Sequence, residues 1–161
     1  PRSTAILWVR PERQAALHPP VISWGLDQGF TTEFDLVGTR DPSPWLAAPA
    51  ALELLAEFGA EEVRAYNHDL AWQAGERLAR RWGTEFRTPR SMVASMVSVP
   101  LPERFGGSAA EAARLRDTLL FEERIELHIA ARGDRLAARV AIQIYNDLAD
   151  VDRLGEAIAR R

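Results

Sequence analysis

Ile125–Ile144 reads IELHIAARGDRLAARVAIQI and carries the clearest structural signal in the sequence. It holds two apolar runs, IELHIA and AARVAIQI, which are separated by Arg132-Gly133-Asp134. A Gly-Asp pair between two such runs is a strong signal for a tight hairpin turn. The stretch therefore predicts two antiparallel strands that are joined by a short turn at Gly133 and Asp134.

Arg139 interrupts the second apolar run and raises the question of what it faces. Because side chains alternate along a strand, Val140 and Ile142 share one face and Arg139 lies on the other. A two-residue turn sets Arg139 opposite His128, whereas a shift of one residue would set the charge opposite leucine. Two interpretations stay open, because a buried unpaired charge is costly. Arg139 either faces water from an edge strand or binds a carboxylate, for which a guanidinium is well shaped.

The segments on either side of the hairpin predict a small mixed domain. SMVASMVSVPLP is expected to form a strand that ends at Pro100. Ser108 and Glu111 form a capping box that opens a helix. Asn146 or Asp147 is expected to cap a last helix. The predicted order is βαββα, with a small antiparallel sheet.

Two long helices are predicted ahead of this domain. Ser43 is expected to cap the first helix, with Pro44 at the first helical position, where its missing N–H costs nothing. Gly59 interrupts the apolar periodicity and separates the two helices. The second helix is expected to run to about Trp82, with Gly83 as its stop.

The segment before the helices predicts one strand and otherwise irregular structure. Thr4–Arg10, TAILWVR, is rich in residues that favour strands, and Val21–Trp24 is expected to be extended after two prolines. Gly25–Gly38 is polar and is expected to be a loop. Because a single strand needs a sheet, its neighbours are expected upstream of Pro1.

The composition argues against several classes of protein and of site. The 161 residues carry a net charge of −3, which argues against binding to nucleic acid or to an acidic membrane surface. No apolar run is long enough for a membrane helix, and the cytosol is the expected compartment. There is no cysteine, and the three histidines are widely spaced, so no metal site is predicted. All 20 basic residues are arginine, so this chain alone supplies no lysine for a Schiff base.

The stretch Gly38–Trp45, GTRDPSPW, carries many constraints for the start of a helix. A glycine lets the backbone approach a ligand closely, and a threonine hydroxyl beside a free N–H is able to hold a phosphate oxygen. From the residues alone, Gly38 and Thr39 form either a tight turn into a capped helix or a phosphate-binding turn.

Several segments together resemble a known family, in the same order and at similar spacing: ILWVRPE, HPPVISWG, GTRDPSPWLAAPAALELL, SMVSVPLP and RVAIQIYND. They are similar to the C-terminal part of class V aminotransferase-fold enzymes, which are pyridoxal phosphate (PLP) enzymes of fold type I. The likeness is strongest to the isopenicillin N epimerase-like branch. It covers nearly the whole chain, and GTRDPSP and R…IQIYN are its most specific parts.

The resemblance implies an α/β fold in two parts. Residues 1–42 are expected to be the end of a large PLP domain with its connecting segment. Residues 43–161 are expected to hold the interdomain helices and a small C-terminal α+β domain. The Schiff-base lysine is expected upstream of Pro1, so no catalytic residue is expected in this chain, which would be inactive without the upstream large domain.

The resemblance also implies roles for four residues. The turn at Gly38 and Thr39 corresponds to one that hydrogen-bonds the cofactor phosphate of the other subunit in a homodimer. Arg139 corresponds to the arginine that binds the α-carboxylate of a small amino-acid substrate. His128, opposite Arg139, is expected to orient the substrate or to shape the pocket.

The chain departs from one branch of this family. Cysteine desulfurases carry a nucleophilic cysteine on a loop between the segments that match IELHIAAR and RVAIQIYN, and here a short turn without cysteine stands there. Persulfide formation is therefore not expected. Epimerisation, C–S lyase chemistry and transamination of an amino acid remain, with PLP as the electron sink. The alternative function is that of a non-catalytic ligand-binding or dimerisation module.

Overall fold

The computed structural model describes residues 4–35 and 38–161. The chain divides into two units, one that ends at Glu57 and one that runs from Phe58 to Arg161. Leu36 and Val37, which belong to the predicted loop, and Pro1 lie outside the described residues. The α-helices and strands are α1 (Pro11–Gln14), α2 (Phe30–Asp35), α3 (Ser43–Glu57), α4 (Ala60–Trp82), β1 (Met96–Pro100), α5 (Ala109–Glu123), β2 (His128–Arg132), β3 (Arg135–Ala141) and α6 (Leu148–Ala159), and two short 3-10 helices span Arg90–Met92 and Glu103–Phe105. None of the described helices is long and apolar enough to cross a membrane.

The three strands form one antiparallel sheet in the order β1-β3-β2. The hairpin prediction is confirmed, because β2 and β3 are separated only by Gly133 and Asp134, with Gly133 at a φ of 64°. The predicted register is also confirmed, since His128 lies opposite Arg139. The strands are shorter than the apolar runs, however, because β2 begins at His128 and leaves Ile125 ahead of it.

The core lies between one face of this sheet and three helices. α4 packs against β1 and α6, and α5 packs against β2. Val97, Ile129 and Ala138 point from the three strands into this core and are almost fully buried. On the other face of the sheet, the side chains of His128, Arg139 and Ala141 are exposed. The predicted α/β fold, with two long helices followed by a βαββα layer, is confirmed.

The predicted helix ends of the second unit are confirmed by their caps. Gly83 ends α4 in the left-handed conformation, at a φ of 68°, and its N–H donates to the carbonyl of Ala79. Ser108 and Glu111 form the predicted capping box of α5. Asp147 caps α6, where its carboxylate accepts hydrogen bonds from two backbone N–H groups.

The first unit differs from its prediction. Thr4–Arg10 forms no strand, because no strand in the described chain pairs with it, and Val21–Trp24 forms none either. The prediction that Gly25–Gly38 is a loop is also wrong, because α2 lies within this segment. Among the described residues of this unit, only Gly25 and Glu33 are buried.

Candidate functional site

Arg139 lies on the face of the sheet that the three helices leave open. It stands in a row across the sheet, between Ser98 of β1 and His128 of β2. Its side chain is exposed and forms neither an ion pair nor a hydrogen bond with any described residue. β3 is the central strand, so the expectation of an edge strand is wrong, whereas the expectation that Arg139 faces water is confirmed. The guanidinium is available to an anionic ligand.

A groove of about 540 Å³, here called the Arg139 groove, lies beside this row. One wall is the irregular segment 124–127, and the other is the end of β3 with the first turns of α6. The groove stays open because the ladder between β2 and β3 stops at His128. Its polar lining residues are Arg124, Glu126, His128, Arg139, Asn146, Asp150 and Arg153.

Two charged groups of the groove are engaged by the protein itself. Asp150 accepts a hydrogen bond from the Asn146 amide at 3.1 Å. Arg153 donates to the carbonyl of Glu123 at 2.5 Å, next to the end of α5. These two groups are therefore occupied, whereas Arg139 is not.

The turn at Gly38 and Thr39 is open. Gly38 has a φ of 101°, a conformation that favours glycine, and no described residue beyond its chain neighbours has an atom within 4 Å of the position that a Cβ would take. Thr39 is exposed, and its hydroxyl has no hydrogen-bond partner among the described residues. The geometry leaves room for an anion against this backbone.

The residues after this turn fasten it to α3, a role that sequence reasoning missed. The Arg40 guanidinium lies 4.1 Å from the centre of the Trp45 ring, a cation–π contact. The carboxylate of Asp41 accepts hydrogen bonds from the N–H of Ser43 at 3.0 Å and from its hydroxyl at 2.7 Å. The hydroxyl and then the N–H of Ser43 hold the pKa of Asp41 below its ordinary value. The signal was available, since Asp before Pro-Ser is typical of a side-chain-capped turn.

The predicted cap of α3 is shifted by one residue. The first helical hydrogen bond runs from the N–H of Leu46 to the carbonyl of Pro42, so Pro42 holds the N-cap position. Ser43 lies inside the helix, and its hydroxyl donates to Asp41 instead of accepting from the helix. The Ser43 cap was therefore wrong, because the neighbouring aspartate is the stronger acceptor.

A second polar cluster in the first unit also escaped sequence reasoning. Glu33 is only 5% exposed and accepts hydrogen bonds from Nδ1 of His18 at 2.7 Å and from the N–H of Asp27 at 3.1 Å. The hydrogen bond to Glu33 and the charge of its carboxylate raise the pKa of His18. Within the described residues, no group of His, Asp and Glu is arranged to hold a metal ion.

The predicted site residues lie in both units of the chain. Gly38 and Thr39 belong to the unit that ends at Glu57, and His128 and Arg139 belong to the unit that begins at Phe58. Within the second unit, the structure brings His128 and Arg139 together as opposite partners in the ladder.

Comparison with known proteins gives this arrangement its context. The chain is 36% identical, over 98% of its length, to a probable chloroplastic L-cysteine desulfhydrase of Arabidopsis thaliana, of which it covers 36%. The chain belongs to the class V aminotransferase-fold enzymes. It is also 30% identical, over 98% of its length, to an isopenicillin N epimerase of Streptomyces clavuligerus, of which it covers 43%. No protein-family model matches the chain.

Family membership confirms the resemblance seen in the sequence. A further L-cysteine desulfhydrase of Arabidopsis thaliana is 31% identical over 90% of the chain, which covers 36% of that protein. The chain thus spans little more than a third of the length of these desulfhydrases. PLP is the cofactor of this family, and its members act on amino acids or their derivatives.

Proposed function

We propose that the chain is the C-terminal part of a PLP-dependent enzyme that acts on a small amino acid, and that Arg139 binds the substrate's α-carboxylate. One observation carries this proposal. Arg139 stands on the central strand, on the open face of the sheet, beside a groove and without a carboxylate partner among the described residues. Membership of a PLP family supports the choice of an amino acid as the anion.

The side chains around Arg139 orient the substrate. The planar guanidinium donates two parallel N–H groups to a carboxylate, which fixes both its position and its rotation. His128 stands directly opposite in the ladder, at a Cβ separation of about 5 Å, and in this proposal it shapes the pocket. Ser98 closes the row on the other side of Arg139.

The turn at Gly38 and Thr39 fits the cofactor's phosphate. The bare Gly38 backbone lets a phosphate approach, and the Thr39 hydroxyl is free to donate to one of its oxygens. In the proposed homodimer this phosphate belongs to the cofactor of the partner subunit. PLP, when bound, supplies an electron sink for charge that develops on the substrate. Because the chain has no lysine, the residue that links PLP to the protein lies in the upstream large domain.

The reaction that we favour is elimination with C–S cleavage on a cysteine-like amino acid. The relative named L-cysteine desulfhydrase that shares 36% identity with the chain supports this choice, and the isopenicillin N epimerase at 30% keeps epimerisation as the second candidate. The β2–β3 turn contains no cysteine, which argues against a persulfide-forming desulfurase.

The organisation of the whole protein is part of the same proposal. Residues 1–42 complete the large PLP domain, and residues 43–161 form the interdomain helices and the small domain. The cytoplasmic location expected from the sequence also remains a proposal, and the name of one relative places that relative in the chloroplast.

The test is made with the full-length, PLP-loaded enzyme. Sulfide release from L-cysteine and inversion at Cα of added amino acids are measured side by side. Sulfide release supports the favoured reaction, and inversion alone supports epimerisation. A full-length protein that holds no PLP and produces neither signal would instead favour the non-catalytic binding or dimerisation module.

A further inference from the structure

The loop between β3 and α6 borders the Arg139 groove and is tied to α4 by two hydrogen bonds. The Tyr66 hydroxyl donates to the carbonyl of Asn146 at 2.7 Å. The Asn67 amide donates to the side-chain oxygen of Gln143 at 3.0 Å. Asn67 is only 6% exposed, so loss of this bond would leave its NH2 group buried without a partner, as its Oδ1 already is among the described residues. Burial of such a polar group therefore fixes the loop against α4.

Asn146, which lies in this anchored loop, also holds an acidic residue of the groove by a hydrogen bond. Its side-chain oxygen accepts from the N–H of Gln143 at 3.0 Å, and its amide donates to Oδ2 of Asp150 at 3.1 Å. The same Asp150 oxygen also accepts from the N–H of Asp147 at 3.4 Å. Asp150 and Arg139 line the same groove, yet they form no ion pair.

We propose that Asn146, anchored by α4, holds Asp150 in the cap of α6 and so leaves Arg139 free for the substrate's carboxylate. A released Asp150 would add to the carboxylate of Glu126, which also lines the groove, and would compete with the substrate for the same guanidinium. Asn146 is thus a positioning residue that acts through Asp150. This inference rests on the proposed role of Arg139.

The test compares Asn146→Ala with a double variant that also carries Asp150→Asn. In the full-length, PLP-loaded enzyme, Asn146→Ala is expected to raise KM for the amino acid about fivefold, the scale of one partly exposed ion pair. The value of kcat is expected to stay unchanged, because Asn146 does not touch the reacting atoms. Asp150→Asn removes the competing charge and keeps an acceptor for the cap, so the double variant is expected to regain the original KM.

The 161-residue chain offers a readout that needs no catalysis. The ¹⁵N resonance of Arg139 Nε is expected to shift in Asn146→Ala without any ligand, and to return in the double variant. Tyr66→Phe is expected to shift the Arg139 resonance in the same direction by a smaller amount. This variant replaces Asn146→Ala in the test if circular dichroism shows that Asn146→Ala does not fold. The matched control is Arg77→Gln, which breaks the exposed ion pair with Asp152 between α4 and α6 and is expected to change neither quantity.

The outcomes separate the inference from the proposed function. A purely structural role of Asn146 makes the double variant at least as impaired as the single one, and that result overturns the inference. Unchanged KM and an unchanged Arg139 resonance in Asn146→Ala overturn it as well. If Arg139→Ala binds the amino acid normally, the proposed function fails instead, and the resonance alone still reports whether Asp150 is released onto Arg139.

Discussion

Replacement of Arg139 by alanine tests the proposed carboxylate site directly. The side chain is exposed and has no described partner, so its loss should change the free energy of unfolding by no more than about 0.5 kcal/mol. A hydrogen bond to a charged group contributes about 1.5–3 kcal/mol, so the affinity for the amino acid should fall about tenfold to a hundredfold. Arg139→Lys should recover only part of this loss, because a single ammonium lacks the two parallel N–H groups.

The assay is a titration of the full-length, PLP-loaded enzyme with its amino acid, followed by the absorbance of the cofactor. Arg135→Ala is the matched control, because Arg135 lies on the same strand and the same face, is also exposed, and removes the same charge. Arg135 pairs with the exposed carboxylate of Glu103, so loss of this ion pair should change the free energy of unfolding only slightly. Normal amino-acid affinity in Arg139→Ala, or an equal loss in Arg135→Ala, would refute specific binding at Arg139.

Three further predictions test other parts of the molecule. Thr39→Ala should weaken PLP retention about tenfold to a hundredfold, by loss of one hydrogen bond to a charged phosphate, and unchanged retention in equilibrium dialysis would leave a simple turn. Leu78→Ala removes a fully buried side chain of α4 and should lower the free energy of unfolding by about 2–5 kcal/mol, as measured in urea; a smaller loss would contradict the described core. Because Glu33 raises the pKa of His18 above 6.5, this pair stabilises the fold below that pH and loses its effect as pH rises through the raised value. An imidazole titration by NMR should show the raised pKa, and Glu33→Gln should abolish it.

The second unit was predictable because its signals are local. The Gly-Asp turn sets the strand register, and the alternation of apolar residues decides which face meets the helices. The capping boxes of α5 and α6 are readable as short motifs, and both form. The ends of the strands were harder to predict, because Ile125 continues the apolar pattern of β2 without joining its ladder.

The candidate site was predictable in its residue types and less so in their surroundings. Alternation alone separates Arg139 from the core residues Val140 and Ile142, but strand order is a long-range property, and the expectation of an edge strand failed for that reason. The hydrogen bonds from α4 to the loop after β3 join residues that are far apart in sequence, such as Tyr66 and Asn146, and no local pattern predicts them. The role of Asp41 in fastening the turn was predictable from the sequence, because aspartate before Pro-Ser is typical of a side-chain-capped turn.

The two units differ in how far they position their own site residues. From Phe58 onwards the chain buries a continuous apolar core, and the strand that carries Arg139 is held on both sides by hydrogen-bonded neighbours. In the first unit, α3 buries none of its side chains, and Trp8 and Trp24 are exposed. Exposed apolar side chains in such number are typical of a surface that the assembled protein covers. The second unit therefore fixes the backbone around Arg139 through its own sheet, whereas the first unit leaves large apolar side chains exposed around the turn-bearing segment.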